Sequence, residues 1–204
     1  LAREVVNGLR ERHGDRPCFE AWSDIVAAAC LCHDIGNPPF GHSGEKTIGS
    51  YFAETPGLEE HLRPQLTDQQ WLDLVRFEGN ANAFRLLTHQ FNGRRPGGFA
   101  MTYSMHASIV KYPYESTLAD GRNKFGFFAS EAESFIKVAD ELGMLSKPGP
   151  NGEVRYARHP LVYLVEAADD ICYEVMDIED AHKLGLLPLS LIHISEPTRP
   201  EPIS

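Results

Sequence analysis

Hydrophobic positions along the chain predict a succession of helices. A long apolar run, residues 25–32, is typical of a helix that is buried on nearly all sides. Other stretches place apolar residues on one helical face, and a hairpin is predicted only around Asn151 and Gly152. The pattern therefore favours an all-α fold, with further helices over residues 43–54, 67–75, 80–89, 102–111, 130–143 and 161–183.

The helix formed by the apolar run ends on two candidate metal ligands, His33 and Asp34. Adjacent helical residues point about 100° apart, but a cation beyond the end of the helix can contact both. Imidazole nitrogen and carboxylate oxygen together favour a divalent ion such as Mg, Mn, Fe, Co or Zn. A His-Asp dipeptide is also common by chance, so this assignment depends on the residues that follow it.

The following segment, GNPPFGHSGE, turns the chain and adds a second polar pair. Its prolines cannot donate a helical hydrogen bond and its glycines permit positive φ, so the first helix must stop there. If a new helix begins near Ser43, His42 and Glu45 lie on the same side of its first turn. The carboxylate can then orient the imidazole or share its proton, which predicts an acid/base pair beside the metal pair.

The last predicted helix carries a stripe of polar residues. Asp169, Tyr173 and Asp177 follow one another at four-residue steps and therefore share one side of the helix. Asp170 shares a side with Tyr173 and Asp177 almost as well, so periodicity does not choose between the two aspartates. The alternative is an exposed, solvated acidic face without a functional role.

Composition narrows the class of protein. The chain has 204 residues and a formal net charge of −10, so its surface as a whole is not that of a general nucleic-acid binder. Its four cysteines form no CxxC pair and fit reduced thiols in a cytoplasmic protein. No apolar run is long enough to span a bilayer, so we expect a soluble protein without a membrane partner.

Three blocks of sequence, in this order, carry a family resemblance. They are HDIGNPPFGHSGE at residues 33–45, FEGNAN at residues 77–82 with Arg85, and EAADDICY at residues 166–173. Together they resemble the dGTPase-like deoxynucleotide triphosphohydrolases, a branch of the HD-domain metal phosphohydrolases. The resemblance implies an HD-domain helical bundle and a divalent metal ion, with Mg or Mn first and Fe, Co or Zn as alternatives.

The resemblance also implies roles for individual residues. His33, Asp34 and Asp169 would ligate the metal, with Asp170 as the fallback, and His42 and Glu45 would be catalytic. A further histidine ligand of the family would precede Leu1, and His13 is a poor substitute because it lies in a segment that ends a helix. The implied substrate contacts are Lys111 and Lys124 to the triphosphate, Arg85 to a phosphate, Tyr173 to the deoxyribose and Asp177 near its 3′ side.

The implied activity is hydrolysis of deoxynucleoside triphosphates, dGTP first, to the deoxynucleoside and inorganic triphosphate. A homo-oligomer is implied, with single-stranded DNA as an alternative effector. Three other interpretations stay open. The first is an HD-type phosphodiesterase or nucleotidase, which would not need Lys111 and Lys124, and the second is a catalytically inert member that binds nucleotide or single-stranded DNA. The third is that this chain is itself inactive because it is a truncated fragment.

The ends of the chain carry expectations of their own. Leu1, Val5, Val6 and Leu9 are spaced like a helix already under way, so we expect a fragment that is truncated at both ends. We assign residues 1–187 to one incomplete HD-type domain. Residues 188–204 are rich in proline and resemble a translated sequencing adapter, which predicts a non-native, disordered tail in which His193 is not a ligand.

Overall fold

The computed structural model describes residues 1–93, 96–119, 121, 123–149 and 152–187. The predicted tail at residues 188–204 and the predicted turn residue Asn151 lie outside these ranges. Within the described ranges no helix is both long enough and apolar enough to cross a membrane.

Helices dominate this part of the chain, which confirms the all-α prediction. The predicted hairpin is also present, with β1 pairing antiparallel to β2 from Ser146 opposite Tyr156 to Pro148 opposite Val154. The described elements are α1 (Ala2–His13), α2 (Cys18–Cys32), α3 (His42–Glu54), α4 (Leu58–Leu62), α5 (Asp68–Val75), α6 (Gly79–Thr88), α7 (Tyr103–Ile109), α8 (Ala132–Glu141), β1 (Ser146–Pro148), β2 (Val154–Tyr156) and α9 (Val162–Lys183).

Two compact units divide the chain after Val165. The first unit, Leu1–Val165, holds the hydrophobic core, where Val26 and Ala29 of α2 pack with Leu87 of α6 and Ile109 of α7. A neighbouring cluster is built from aromatic rings, with Phe84 against Phe135 and Phe127 stacked on Phe135. These contacts fix α2 and α6 in one core, and these two helices lead into the candidate site.

Burial of α2 is more one-sided than the apolar run predicts. Phe19, Val26 and Ala29 are buried, whereas Leu31 is 86% exposed. The expectation of a helix buried on nearly all sides is therefore wrong. An unbroken apolar run has no periodicity, so it does not reveal which face of a helix meets the core.

Three helix ends can be compared with the caps that the sequence predicts. Thr67 and Asp68 are both candidate caps for α5, and the structure uses Thr67, in a full capping box with Gln70. Gly143 is the predicted C-terminal glycine of α8, and it follows that helix with φ of 60°. The spacing of Ser130 and Glu133 predicts a capping box, which is wrong, because α8 begins at Ala132 and the Ser130 hydroxyl donates to Glu131 instead.

The second unit begins at Glu166, within α9, and its described part reaches residue 187. It consists of the remainder of α9 and the turn that follows that helix. Near its end, Lys183 pairs with Glu179 one helical turn earlier, at 2.9 Å between Nζ and Oε1. From Asp170 to Asp180 every residue of this helix is exposed.

Candidate active site

The turn between α2 and α3 holds the first block of candidate residues. α2 ends where the backbone N–H of His33 donates to Ala29, and Gly41, with φ of 53°, leads the chain into α3. A Cβ on Gly44 would overlap the carbonyl oxygen of Pro39, so only glycine lets the first turn of α3 pack on the proline pair. The Gly and Pro residues of this segment thus place His33 and Asp34 at one end of the turn and His42 and Glu45 at the other.

His33 and Asp34 are arranged as two ligands of one ion would be. The Nδ1 atom of His33 lies 2.7 Å from the carbonyl oxygen of Cys30, which selects the tautomer with its proton on Nδ1 and leaves the Nε2 lone pair for a metal. Nε2 is 3.4 Å from Asp34 Oδ2. Two ligands about 2.1 Å from one ion are separated by about 3.0–3.4 Å, so this spacing fits a shared cation.

Asn37 fixes the orientation of the Asp34 carboxylate. Its side-chain amide donates to Asp34 Oδ1 at 2.8 Å, which leaves Oδ2 on the side of His33. A partner of this kind limits the rotation of a ligand carboxylate before any ion binds. The His/Asp donor set therefore fits a divalent metal ion in both chemistry and spacing.

The start of α6 also holds the turn between α2 and α3 in place, through two hydrogen bonds. The Asn82 amide donates to the carbonyl oxygen of Gly36 at 2.9 Å, and the Gly79 N–H donates to Glu45 Oε1 at 2.7 Å. A Cβ on Gly79 would overlap Asn37 and Glu45, and one on Gly36 would overlap the backbone of α6. Close approach of two backbone segments at these glycines is what holds the turn in place.

Glu78, the residue before α6, is a buried carboxylate with four donors. It is 1% exposed, and its Oε2 accepts from the backbone N–H groups of Asn80 at 2.7 Å and Ala81 at 3.2 Å. Its Oε1 accepts from the Asn80 side chain and from Lys124 Nζ, each at 2.8 Å. Glu78 is therefore the N-cap of α6. Composition alone predicts a helix junction here, with Gly79 making the turn and Asn80 as the cap, and this prediction is wrong.

Lys124 joins Glu78 to Glu45. Its Nζ lies 2.8 Å from Glu78 Oε1 and 3.4 Å from Glu45 Oε2, and its side chain is 21% exposed. Burial alone would lower the pKa of Lys124, but hydrogen bonding and charge from Glu78, and then from Glu45, raise it above the ordinary lysine value. The ammonium group is therefore charged and held by two carboxylates.

His42, Glu45 and Lys124 line one cavity of about 310 Å³ in the first unit, together with Arg76 and Asn123. The structure thus brings together three of the predicted site residues. The predicted pairing of Glu45 with His42 is not seen in the described part of the chain. Glu45 is bonded to Gly79 and Lys124 instead, and His42 is exposed.

Two other predicted cations lie elsewhere in the first unit. Arg85 donates to Glu131 at 2.7 Å and to Ser130 at 2.8 Å, and it lines a different cavity, of about 370 Å³. Lys111 lies with its Nζ 5.9 Å from the centre of the Tyr112 ring. Neither residue lines the cavity that contains His42 and Glu45.

The remaining predicted residues lie on α9 in the second unit. The helix is continuous through all of them, so Asp169, Tyr173 and Asp177 follow one another at successive four-residue steps. Asp169 is partly buried, Asp170 is exposed and Tyr173 is 53% exposed. The stripe predicted from periodicity is therefore present along this helix.

Three residues of the first unit that hold the site together, Asn37, Glu78 and Asn82, were not assigned a role from the sequence. Glu78 and Asn82 belong to the FEGNAN block, but the family resemblance of that block implies no contact for either residue. One signal was available for Glu78, since a carboxylate directly before a predicted helix start is a candidate N-cap. The bonds of Asn37 and Asn82 depend on how the turn folds back on α6, which no local signal reveals.

Comparison with known proteins identifies relatives of the chain. A family model described as the HD domain matches residues 2–91. The chain is 40% identical over 203 residues to a deoxyguanosinetriphosphate triphosphohydrolase-like protein of Synechocystis sp., covering 94% of this chain and 46% of that protein. A protein of the same description from Pseudomonas aeruginosa is 44% identical over 174 residues, covering 81% of this chain and 37% of that protein.

A deoxyguanosinetriphosphate triphosphohydrolase of Yersinia pestis is 30% identical over 229 residues, covering 95% of this chain and 42% of that protein. In each of these three comparisons, the chain spans less than half the length of the relative that it matches.

Proposed function

Because this chain belongs to the HD-domain family and is similar over most of its length to deoxyguanosinetriphosphate triphosphohydrolase-like proteins, we propose that it supports metal-dependent hydrolysis of deoxynucleoside triphosphates. The proposed products are the deoxynucleoside and inorganic triphosphate, and dGTP is the first candidate substrate. The proposal extends to a cytoplasmic homo-oligomer with single-stranded DNA as an effector.

The observation that carries the proposal is the His33–Asp34 pair at a spacing that one cation can bridge, held by Cys30 and Asn37. A second group of polar residues, His42, Glu45 and Lys124, lines a cavity beside the same turn. Metal ligands and proton-transfer groups on one rigid turn are what hydrolysis of a phosphate ester requires.

The metal site of the proposal consists of His33, Asp34 and Asp169. Asp169 is preferred to Asp170 because it matches the family block, and its partial burial agrees with that choice. An oxygen-rich donor set with one imidazole suits Mg or Mn, and Fe, Co or Zn are alternatives. The divalent ion, when bound, would supply Lewis-acid chemistry at the α-phosphate.

The other residues bind the substrate or move protons. Glu45 and His42 remove or supply the proton at the attacked phosphate, an effect worth on the order of 10²–10⁴ in rate. In the proposal Lys111, Lys124 and Arg85 offset the negative charge of the phosphates. Tyr173 packs on the deoxyribose and leaves no room for a 2′-hydroxyl, and Asp177 lies on the 3′ side of the sugar.

One observation favours a second candidate function. The ammonium of Lys124 is already held by Glu78 and Glu45, so its charge is partly offset before any phosphate arrives. An HD-type phosphodiesterase or nucleotidase needs less positive charge than a triphosphohydrolase and would use the same metal residues. A catalytically inert member would bind nucleotide without turning it over.

Product analysis separates these functions. The purified chain is incubated with dGTP, the other deoxynucleoside triphosphates or GTP, in the presence of Mg²⁺ or Mn²⁺, and phosphorus products are followed by ³¹P NMR. We expect intact inorganic triphosphate from deoxynucleotides in wild type and none from His33→Ala. Release of orthophosphate or pyrophosphate would instead identify a nucleotidase or pyrophosphohydrolase, and nucleotide binding without products would identify an inert binder.

A further inference from the structure

The cluster of Glu45, Glu78 and Lys124 contains a carboxylate without a place in the proposed reaction. Glu78 is the most deeply buried of the three, and it lies beside the cavity without being one of the residues that line it. Buried carboxylates are kept only where donors offset the cost of desolvation, and Glu78 has such donors from both the α6 backbone and Lys124.

Glu78 cannot turn away from Lys124 without losing other bonds. Its Oε2 is fixed by two N–H groups at the start of α6, and its Oε1 is fixed by the Asn80 side chain. The direction in which Oε1 presents itself to Lys124 is therefore set by the backbone of a helix. Lys124 has no comparable anchor of its own, since its long side chain rotates freely unless its end is held.

Lys124 makes unequal contacts with its two carboxylates. The 2.8 Å distance to Glu78 is that of a strong charge-assisted hydrogen bond, whereas the 3.4 Å distance to Glu45 is that of a looser ion pair. Glu78 is thus the anchor and Glu45 the second partner. The opposite oxygen of Glu45 is fixed by Gly79, the next residue after Glu78.

We propose that Glu78 is a positioning residue that acts through Lys124, holding its ammonium group beside the carboxylate of Glu45 at the edge of the cavity. This inference rests on the proposed function for its effect on turnover, but not for its effect on Lys124 itself. Glu78 therefore decides where one positive charge lies relative to the proton-transfer residue and to an incoming phosphate.

A double-mutant cycle tests whether Glu78 acts through Lys124. We expect Glu78→Gln to lower kcat by about tenfold or more with a much smaller change in KM, because the aligned charge is lost. In a Lys124→Met background the same substitution should change kcat by less than about twofold, because the group it positions is gone. Equal effects in both backgrounds would overturn the proposal and leave Glu78 as a helix cap only.

Asp73→Asn is the matched control. Asp73 is another buried carboxylate of the first unit that accepts a backbone N–H, from Ala129 at 2.7 Å, and it contacts no lysine among the described residues. Its substitution removes a buried charge in the same way as Glu78→Gln. We expect no selective loss of kcat from it, and a loss equal to that of Glu78→Gln would count against the proposal.

A measurement independent of turnover uses lysine ¹³C NMR. Lysines are labelled with ¹³C and ¹⁵N during expression, so the ammonium groups keep all their N–H donors; the Lys124 signal is assigned from its loss in Lys124→Arg, and its pKa is measured by titration. We expect this pKa to fall in Glu78→Gln and to stay unchanged in Asp73→Asn. An unchanged pKa in Glu78→Gln would overturn the proposal.

If Glu78→Gln fails to fold, the pKa of Lys124 can be measured in Glu45→Gln instead. This variant leaves the cap of α6 intact, and Lys124 should keep a raised pKa because Glu78, its closer partner, remains. A return of Lys124 to the ordinary lysine value in Glu45→Gln would show that Glu45 is the anchor and contradict the proposal. Wild-type protein without turnover would refute the proposed function alone, because the NMR result stands without it.

Discussion

The turn between α2 and α3 and the stripe on α9 both carry sequence blocks that resemble the same family, but the two regions are held in different ways. The turn is fixed by hydrogen bonds to Asn82 and Gly79 and by glycines that leave no space for a side chain. In the second unit, Tyr173, Val175 and Met176 are each more than half exposed on a single helix.

This difference separates two kinds of predicted residue. In the turn, the side chains of His33 and Asp34 are held by hydrogen bonds to Cys30 and Asn37, so their geometry does not depend on a bound ligand. On α9, helical periodicity sets the order of the residues along one side, and the residues from Asp170 to Asp180 are exposed. Substitutions in the turn should therefore act on both stability and chemistry, whereas those at the exposed positions of α9 should act mainly on ligand binding.

The largest expected effect is the loss of metal binding. His33→Ala should abolish binding of Mn²⁺, measured by isothermal titration calorimetry, and turnover with it, because His33 supplies the imidazole of the proposed ligand set. Asp169→Ala should also abolish Mn²⁺ binding and turnover, whereas Asp170→Ala should leave binding intact. Loss of binding in Asp170→Ala and not in Asp169→Ala would reverse the assignment. His13→Ala is the control for a histidine outside the turn.

The next largest expected effect comes from removing Glu45, the carboxylate that we propose transfers a proton. Glu45→Ala should lower turnover by on the order of 10²–10⁴ while sparing the metal, since Glu45 is bonded to Gly79 and Lys124 rather than to the ligands. Turnover and Mn²⁺ affinity are measured on the same preparation. Loss of the metal together with turnover would make Glu45 a ligand and contradict its role in proton transfer.

Lowering the pH should reduce the free energy of unfolding of the first unit, because His106 is buried in it. Burial lowers the pKa of His106 to about 4, and its ring packs edge-on against Phe84 of α6. The unfolded chain therefore takes up this proton first, so stability falls as the pH drops through about 6.5 and levels off below about 4, by up to about 3 kcal/mol. Urea unfolding at several pH values measures this slope, which should be smaller in His106→Gln and unchanged in His13→Gln.

Adding a methyl group where the start of α6 packs against the turn between α2 and α3 should have a smaller effect, which is on stability. Gly79→Ala places a Cβ against Asn37 and Glu45, which should cost about 1–3 kcal/mol of unfolding free energy. Gly8→Ala, at a helical position where a Cβ meets nothing within 4 Å, should instead stabilise by up to about 1 kcal/mol. Chemical denaturation compares the two, and equal effects would show that the close approach at Gly79 is unimportant.

The smallest expected effect concerns substrate choice. Tyr173→Ala should narrow the preference for deoxynucleotides over ribonucleotides several-fold, because space opens for a 2′-hydroxyl, with little change in stability. The ratio of kcat/KM for dGTP and GTP measures it. Unchanged discrimination would refute the role of Tyr173 at the sugar.

Local features of the sequence account for most of what could be predicted. The end of α2 at His33 follows from the glycines and prolines after it, and a cap at Thr67 or Asp68 follows from their side chains directly before an amphipathic stretch. The bonds that complete the site join distant positions, such as Lys124 with Glu78, which are 46 residues apart. Periodicity and capping rules act within a few residues, so they cannot reveal such pairs. The error at Ser130 has the same origin, because Arg85 of α6 binds that hydroxyl.

The cap of α6 has a consequence for how variants of this protein can be selected. Because Glu78 both starts the helix and holds Lys124, a chain in which α6 forms correctly has already assembled one side of the cavity. Screens that select only for soluble expression would therefore enrich intact sites without any assay of chemistry. Conversely, substitutions of Glu78 that prevent α6 from forming would lead to degradation of the misfolded protein in the cell, whatever their effect on activity.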